Sequence, residues 1–360
     1  MSSLSPFRLT RVVVRDFRGI DSLELEIPED DDDRGGALVI AGENGCGKTS
    51  VLEAILLLFG RIDLMPADTA PPSELVRQGA SDFRLEAHPA DANDGWFVNA
   101  FQLGRFDRSL REVGREGLTF GAAIGGDALT KAMRSIGWGA PPCSQFTIEF
   151  FSARREPEDL GAAVTSATGR RSTREERRLA ELARRLANVF ARSRRNQTFE
   201  RIERFMRSFL GAQWSLDVVF RDASEGSDPL VVVRDGELPF GPDGEPLTFR
   251  AIRDLAQSGT PLPKVIPIDR LSSGQMALLS LAYPFVFGDR PVDLALLDEP
   301  EQHMHPMWQR ALLPALRELS PSTRFIVATH SPHVLDSVAP YERFSLEPLR
   351  APAPLHDAAE

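Results

Sequence analysis

Hydrophobic positions recur with two different periods along this chain of 360 residues. "RLTRVVVRDF" (Arg8–Phe17) and "SLELEIP" (Ser22–Pro28) show the two-residue alternation of half-buried strands, the second strictly. "ALVIAG" (Ala37–Gly42) offers no polar side, which is the pattern of a short strand buried on both faces. A glycine-rich loop follows, and then an apolar run predicts a helix over Lys48–Phe59. The acidic "EDDDDRGG" (Glu29–Gly36) predicts a solvated hairpin turn, whereas Pro66–Asp94, rich in Pro, Ala and Asp, predicts no defined element. "GWFVNAFQLG" and "SQFTIEFFSA" read as further strands.

Within Arg154–Leu210 the period changes to three and four. Leu179, Leu182, Leu186, Val189 and Phe190, then Ile202, Phe205, Met206, Phe209 and Leu210, mark amphipathic helices with arginines on their outer faces. The phenylalanines there read as core rather than as base-stacking platforms. "WSLDVVF" and "PLVVVRDGELPF" return to strand pattern with an Asp-Gly turn. Beyond Leu271 the chain predicts a helix (Ser273–Phe287), a strand (Val292–Leu297), a helix (Pro306–Leu319), a strand (Thr323–Ala328) and a helix (His333–Val338). The terminal "LRAPAPLHDAAE" predicts a frayed tail, and no repeat of fixed period is visible.

Strands alternating with helices at both ends predict an α/β sheet, with the arginine-rich helices inserted between the halves. The expected division is residues 1–153 and 291–345 as two parts of one α/β lobe, 154–290 as a helical lobe, and 346–360 as a tail.

Charge sharpens this picture. The net charge is −10, which argues against indiscriminate binding of polyanions. Arg170–Arg207 nevertheless holds thirteen arginines against five glutamates, a net of +8, so the remainder carries −18. That segment, with Arg192, Arg194 and Arg195 as its candidate contacts, could track a nucleic-acid backbone. The plainer readings are a solvated helix face or a surface for an acidic partner protein. Two cysteines, Cys46 and Cys143, make no disulfide framework and suit a reducing cytoplasm. No apolar run approaches the roughly 20 residues of a membrane span. No basic segment followed by an apolar one opens the chain, so neither secretion nor membrane residence is expected.

The strongest chemistry lies in "GENGCGKTS", Gly42–Ser50, which fills every fixed position of G-x-x-x-x-G-K-[ST] between a buried strand and a helix. In such a loop the backbone N–H groups of Gly42, Asn44, Gly45, Cys46, Gly47 and Ser50 can turn toward phosphate oxygens at a helix N-terminus. Lys48 would reach the β- and γ-phosphates, and the Thr49 hydroxyl would bind Mg²⁺. Cys46 is needed there only for its backbone.

A phosphate loop also calls for an acid at the end of a hydrophobic strand next to it in the sheet. "LALLDE" (Leu294–Glu299) has that form, with Asp298 as the Mg²⁺-associated carboxylate and Glu299 as general base toward water. A rival reading takes His303 and His305 with Glu299 or Glu301 as a transition-metal site. Pro300 and Pro306 bracket that pair into a loop or helix start, and two ligands at this spacing are a weak signal. "LSSGQ" (Leu271–Gln275) opens a predicted helix as a second anion-binding element. "FIVATHSPHVL" ends its strand at His330, where an imidazole could meet a γ-phosphate.

In this order the motifs resemble the ABC-ATPase superfamily, and within it the SMC/RecF/OLD branch. "VVVRDFRGIDSLELEI" and "LVIAGENGCGKTSVLEAI" are similar to the N-termini of RecF and OLD-like ATPases. "LLDEPEQHMHPMWQ" and "ATHSPHVL" resemble the OLD-like, AAA_21-type group of bacterial repair and phage-defence systems. The specific likeness covers about residues 8–60 and 265–340. It implies a P-loop NTPase of ABC-ATPase head type, with a mixed sheet, flanking helices and a helical second lobe.

It further implies an ATPase that pairs head to head as a homodimer, sandwiching ATP. Lys48, Thr49, Asp298, Glu299 and His330 would act in one protomer, while Ser272, Gly274 and Gln275 reach across from the other. Arg18, after Phe17, matches the family's basic residue beside the nucleotide, and His303 and His305 fall where relatives place a dimer-contacting loop. Ser273 replaces the signature's usual first glycine. "EFFSARRE" (Glu149–Glu156) holds no Q-loop glutamine, although Gln145 lies a few residues before it. Little chain follows His330, so the Toprim nuclease of OLD proteins and its chemistry are not expected, and a separately encoded effector is. A nucleotide-gated scaffold with little turnover is the alternative. A transporter ATPase is disfavoured, because "DEPEQHMHP" replaces the transporter pattern.

Overall fold

The computed structural model describes residues 9–28, 36–59, 61, 64–65, 75–89, 96–99, 103–106, 112–116, 147–153, 174–192, 196–223, 229–238, 247–302 and 304–347. The chain divides into two compact units. One comprises Met1–Ser152, Asp293–Pro300 and Arg324–Glu360, and the other Ala153–Val292 and Glu301–Thr323. The sequence kept 301–323 with the last part of the α/β lobe, but it groups with the second unit.

In the first unit, an antiparallel sheet has the order β2-β1-β4-β5-β6-β7. Its strands are β1 (Leu9–Phe17), β2 (Ile20–Glu26), β4 (Arg84–Pro89), β5 (Trp96–Asn99), β6 (Leu103–Phe106) and β7 (Glu112–Glu116). Pairing of Val12 with Leu25 and of Val14 with Leu23 puts the apolar half of the alternation on one face, where all four are buried. The opposite face keeps Ser22, Glu24 and Glu26 exposed. β4 falls inside Pro66–Asp94, where the sequence predicted nothing. Its "RLEAHP" alternates polar and apolar over Arg84–His88, with Leu85 and Ala87 buried, and it pairs with β1 from Val12 opposite Ala87 to Arg15 opposite Arg84.

The second sheet of this unit is wholly parallel, in the order β14-β3-β13-β12-β8. β3 (Ala37–Ala41), β12 (Leu294–Asp298) and β13 (Arg324–Thr329) are its three central strands, flanked by β8 (Ile148–Phe151) and β14 (Arg343–Ser345). Every residue of β12 and β13 is buried, as is β3 up to its last residue, which is why none of the three shows alternation. Two expectations change here. Parallel and antiparallel pairings occupy separate sheets rather than one mixed sheet, because helix-linked strands need cover on both faces while hairpins tolerate solvent on one. The acid-bearing strand β12 is not next to β3: β13 stands between them and pairs with both.

Helix α1 (Lys48–Leu58) is buried along nearly its whole length, so "VLEAILLL" is apolar on all sides except at Glu53. The expected last helix, His333–Val338, is shorter, α7 (Pro332–Leu335), capped by the Ser331 hydroxyl accepting from His333 and Val334 N–H. Residues 29–35 of the expected hairpin turn and 348–360 of the expected tail lie outside the described residues.

The second unit contains α2 (Arg174–Arg192), α3 (Gln197–Leu210), α4 (Phe249–Gln257), α5 (Ser273–Phe287) and α6 (Pro306–Leu319), with an antiparallel sheet of β9 (Trp214–Phe220), β10 (Pro229–Asp235) and β11 (Val265–Pro267). Leu182, Leu186 and Ile202, each fully buried, form the apolar stripes of α2 and α3 and pack with Val231, Val233 and Leu279. Asn196 caps α3 by accepting from Thr198 N–H at 2.8 Å, and Gly211, at φ 102°, ends it. Among the described residues, no helix is long and apolar enough to cross a membrane.

Candidate functional site

β3 ends at Ala41 and α1 begins at Lys48, so Gly42–Gly47 must turn the chain within six residues. Gly45 and Gly47 do this at φ 81° and 98°, a region L side chains rarely adopt. Gly42 is required for another reason. A Cβ there would sit 2.5 Å from Cys46 Sγ and 2.9 Å from the Leu346 carbonyl oxygen. Cys46 is buried against this point, so its thiol fills space inside the loop as well as lending its backbone. Nothing in the sequence announces Leu346, which reaches the loop because its N–H donates to Ala41 O beyond the end of β14.

Lys48 is almost wholly buried, and its ammonium donates to Gly42 O at 2.9 Å and Glu43 O at 2.8 Å. The charge is therefore held within the loop on carbonyl oxygens, where phosphate oxygens could replace them. Thr49 Oγ1 donates toward Asp298 Oδ1 and Oδ2, at 3.0 and 3.1 Å. Asp298 is only 3% exposed at the C-terminal end of β12. A buried carboxylate needs polar partners, and here one is the hydroxyl of the loop's last threonine. Thr49 and Asp298 thus bring two hard oxygen ligands to one point, the donor set Mg²⁺ favours.

Glu299 follows in a left-handed conformation, φ 46°, with its N–H donating to Ala328 O at 2.8 Å. That anchoring to β13 turns the chain sharply after Asp298, so consecutive acids face different directions. Glu299 Oε1 lies 3.4 Å from Nδ1 of His330, whose side chain is half exposed. His330 is reached immediately after β13 ends at Thr329. The strand inserted between β3 and β12 therefore carries the histidine that meets Glu299.

Arg18 does not stand alone. Its guanidinium pairs at 2.7 Å with Glu53 of α1, a carboxylate 4% exposed. Its backbone is left-handed at φ 52°, with the N–H donating to Leu75 O. A single acid inside an otherwise apolar helix is the signal that could have pointed to this pair. Three non-glycine residues have left-handed backbone among the described residues: Asp16, Arg18 and Glu299. Two of them, Arg18 and Glu299, are residues the sequence singled out, and the third precedes Arg18 by two.

Ser272, Gly274 and Gln275 sit in the second unit at the start of α5. Ser272 and Gln275 form a reciprocal capping box: Ser272 Oγ accepts from Gln275 N–H, and Gln275 Oε1 accepts from Ser272 N–H at 2.9 Å. The Ser272 hydroxyl accepts here, so its own hydrogen remains available to an anion. Gly274 is buried. His305 caps α6, with Nδ1 accepting from Met307 N–H at 3.3 Å. His303 and Gln145 lie outside the described residues, and Glu301 is buried in the second unit.

Arginines of α2 and α3 make mostly intramolecular contacts. Arg184 and Arg185 hold Glu181, whose carboxyl drops to about 2 through their hydrogen bonds. Arg201 donates to Phe285 O and Leu319 O, and Arg207 pairs with Glu203. Exposed Arg184 fits the expected solvated helix face, whereas part-buried Arg201 has a structural role that the sequence did not suggest. Arg192 closes α2, with its side chain outside the described residues, as are Arg194 and Arg195 altogether.

Two family models match the chain. The one described as "AAA domain, putative AbiEii toxin, Type IV TA system" (AAA_21) covers residues 149–336, and one described as "AAA domain" (AAA_23) covers 11–86. The DNA replication and repair protein RecF of Actinobacillus pleuropneumoniae serotype 3 is 27% identical over 89% of this chain and 91% of its own. The Septu protein PtuA of Bacillus thuringiensis is 36% identical over 15% of this chain, and the match spans only 13% of that relative's length. The SMC head domain from Thermotoga maritima aligns over 92% of both chains at 16% identity, with a TM-score of 0.44.

Proposed function

This chain belongs to the AAA_21 family, in the SMC/RecF-like branch of the ABC ATPases, and from that premise we propose that it binds Mg²⁺-ATP and hydrolyses it to ADP and phosphate. The observation that carries the proposal is the meeting of Thr49 with Asp298 beside the Glu299–His330 pair. Lys48 exchanges the Gly42 and Glu43 carbonyls for phosphate oxygens, and the amides of the Gly42–Ser50 loop hold the remaining phosphate charge. Thr49 and Asp298 would hold Mg²⁺, which when bound would neutralise charge on the phosphates. Glu299 accepts the proton of the attacking water, and the exposed edge of His330 donates to phosphate oxygen.

Ser272 and Gly274 act on the nucleotide of a second copy, so that ATP closes a head-to-head homodimer and hydrolysis reopens it. The RecF likeness supports a role in DNA repair, and the resemblance to OLD-like ATPases supports phage defence with a separately encoded effector. DNA or RNA contact is assigned to Arg192, Arg194 and Arg195 in the Arg170–Arg207 segment.

The deciding experiment measures phosphate release and mass with ATP for the wild type and Glu299→Gln. Loss of turnover with a trapped ATP-bound dimer supports the reading. Unchanged hydrolysis in Glu299→Gln removes Glu299 as the base. An ATP-dependent wild-type dimer without turnover makes the chain a nucleotide-gated scaffold instead.

A further inference from the structure

Arg201 of the basic helix α3 makes contacts that reach two motif-bearing helices at once. Arg201, part-buried on α3, directs Nη2 at Phe285 O (3.2 Å) and at Leu319 O (2.7 Å). One terminal guanidinium nitrogen carries two N–H groups, so it can donate to both acceptors. Phe285 lies in the last turn of α5 and Leu319 ends α6. Both carbonyls lie in the last turn of a helix, where a side-chain donor can complement the backbone. A cation there also meets the negative end of two helix dipoles.

The other ends of these helices explain why such a clamp matters. α5 begins at the Ser272–Gln275 capping box, and α6 begins at His305, six residues after Glu299 in the chain. α5 is about 22 Å long at 1.5 Å per residue, so Arg201 lies at the end remote from Ser272. Arg185 adds a second clamp on α5 alone, donating to Phe287 O at 2.8 Å with its guanidinium 5.8 Å from the Tyr283 ring. Arg204 supports the same corner through Glu318 of α6, at 3.9 Å. α3 thus ties the C-terminal end of α5 to that of α6.

We infer that Arg201 is a positioning residue, which sets the signature turn Ser272–Gln275 against the start of α6 for the nucleotide carried by the second copy. This rests on the head-to-head reading above. Arg201 touches no nucleotide in this scheme. Its loss leaves binding at the P-loop of its own chain intact and spoils the contribution made across the dimer.

The full-length Arg201→Ala and Arg201→Lys variants are compared with wild type for affinity toward a fluorescent ATP analogue with Mg²⁺, for kcat, and for KM. Affinity within about twofold of wild type with kcat at least about tenfold lower is expected for Arg201→Ala. Partial recovery is expected in Arg201→Lys, which keeps the charge and donors without the planar fork. Leu182→Ala, a core change in the same unit, is the control: it lowers Tm but keeps turnover per folded molecule. Mixing Arg201→Ala with Lys48→Ala then rebuilds one site from an intact P-loop and an intact signature turn, and activity rises above that of either variant alone. If Arg201→Ala does not fold, Arg201→Gln takes its place throughout. Wild-type kcat in the variant, a loss of analogue affinity matching the loss of kcat, or no recovery on mixing overturns the inference. Absence of turnover and of an ATP-dependent dimer in the wild type would instead defeat the reading on which it rests.

Discussion

At the level of single residues, the candidate site joins buried Lys48 and Asp298 to the partly buried Thr49 and Glu299 and the half-exposed His330, so each substitution has a distinguishable signature. Lys48→Ala removes the only side-chain cation the loop is built around and should weaken ATP binding about tenfold or more, measured by equilibrium titration. Thr49→Val leaves the buried Asp298 carboxylate without that hydroxyl. A stability loss of about 1–3 kcal/mol by urea denaturation is expected even without nucleotide, whereas Thr49→Ser should retain it. Glu299→Gln should lower kcat by about 10²–10⁴-fold while leaving affinity largely intact. The loop and the Asp298–Glu299–His330 candidates came from the sequence, because each needs only a short local pattern, and the structure brings Thr49 to Asp298 and Glu299 to His330. The pairing of Arg18 with Glu53, and of Gly42 with Leu346, was not, since the partners lie 35 and 304 positions apart.

One titratable group outside the site gives a test by pH. Burial pushes the Asp293 carboxyl above its ordinary 3.8, against a hydrogen bond it accepts from Thr147 N–H at 2.7 Å. A raised value in the folded state means the fold holds the proton more tightly than the unfolded chain. Its contribution is fully present below about pH 3.8 and is lost as pH rises through the raised value. Asp293→Asn, which can still accept from Thr147, should flatten that part of the stability profile in urea titrations across pH.

Among the elements, helices were the most legible. α5 and α6 match the expected Ser273–Phe287 and Pro306–Leu319, since i to i+4 contacts and caps are local, whereas for α3 the sequence supplied the apolar stripe without its ends. His305 illustrates how the same side chain changes role with context: suspected as a ligand from its spacing, it is the N-cap of α6. His305→Ala should cost about 1 kcal/mol by chemical denaturation, and His305→Asn should preserve the cap. Strands without alternation were legible as buried strands but not as neighbours. β3, β12 and β13 share one composition, so only pairing energy across the sheet sets β13 between the other two.

For the whole molecule, the arginine excess divides into two parts with different expectations. Arg184, Arg185, Arg201 and Arg207 are engaged within the chain, so their replacement should affect stability more than polyanion affinity. Replacing Arg192, Arg194 and Arg195 together should instead weaken DNA or RNA binding uniformly across sequences and reduce the salt slope, log K against log salt, by about 0.9 per lost phosphate contact. Binding that persists with an unchanged slope would free those three arginines from the assignment.

The sequence by itself determined the chemistry on offer: a phosphate loop, two strand-end acids, a strand-end histidine and a helix opened by Ser272, each encoded within about ten residues. Tertiary structure alone decided that β13 separates the loop strand from the acid strand, that His330 therefore faces Glu299, and that Arg201 joins the far ends of α5 and α6. The reason is range. Periodicity and capping act between neighbours along the chain, whereas strand order and side chain-to-carbonyl clamps depend on groups that approach only after the chain has packed.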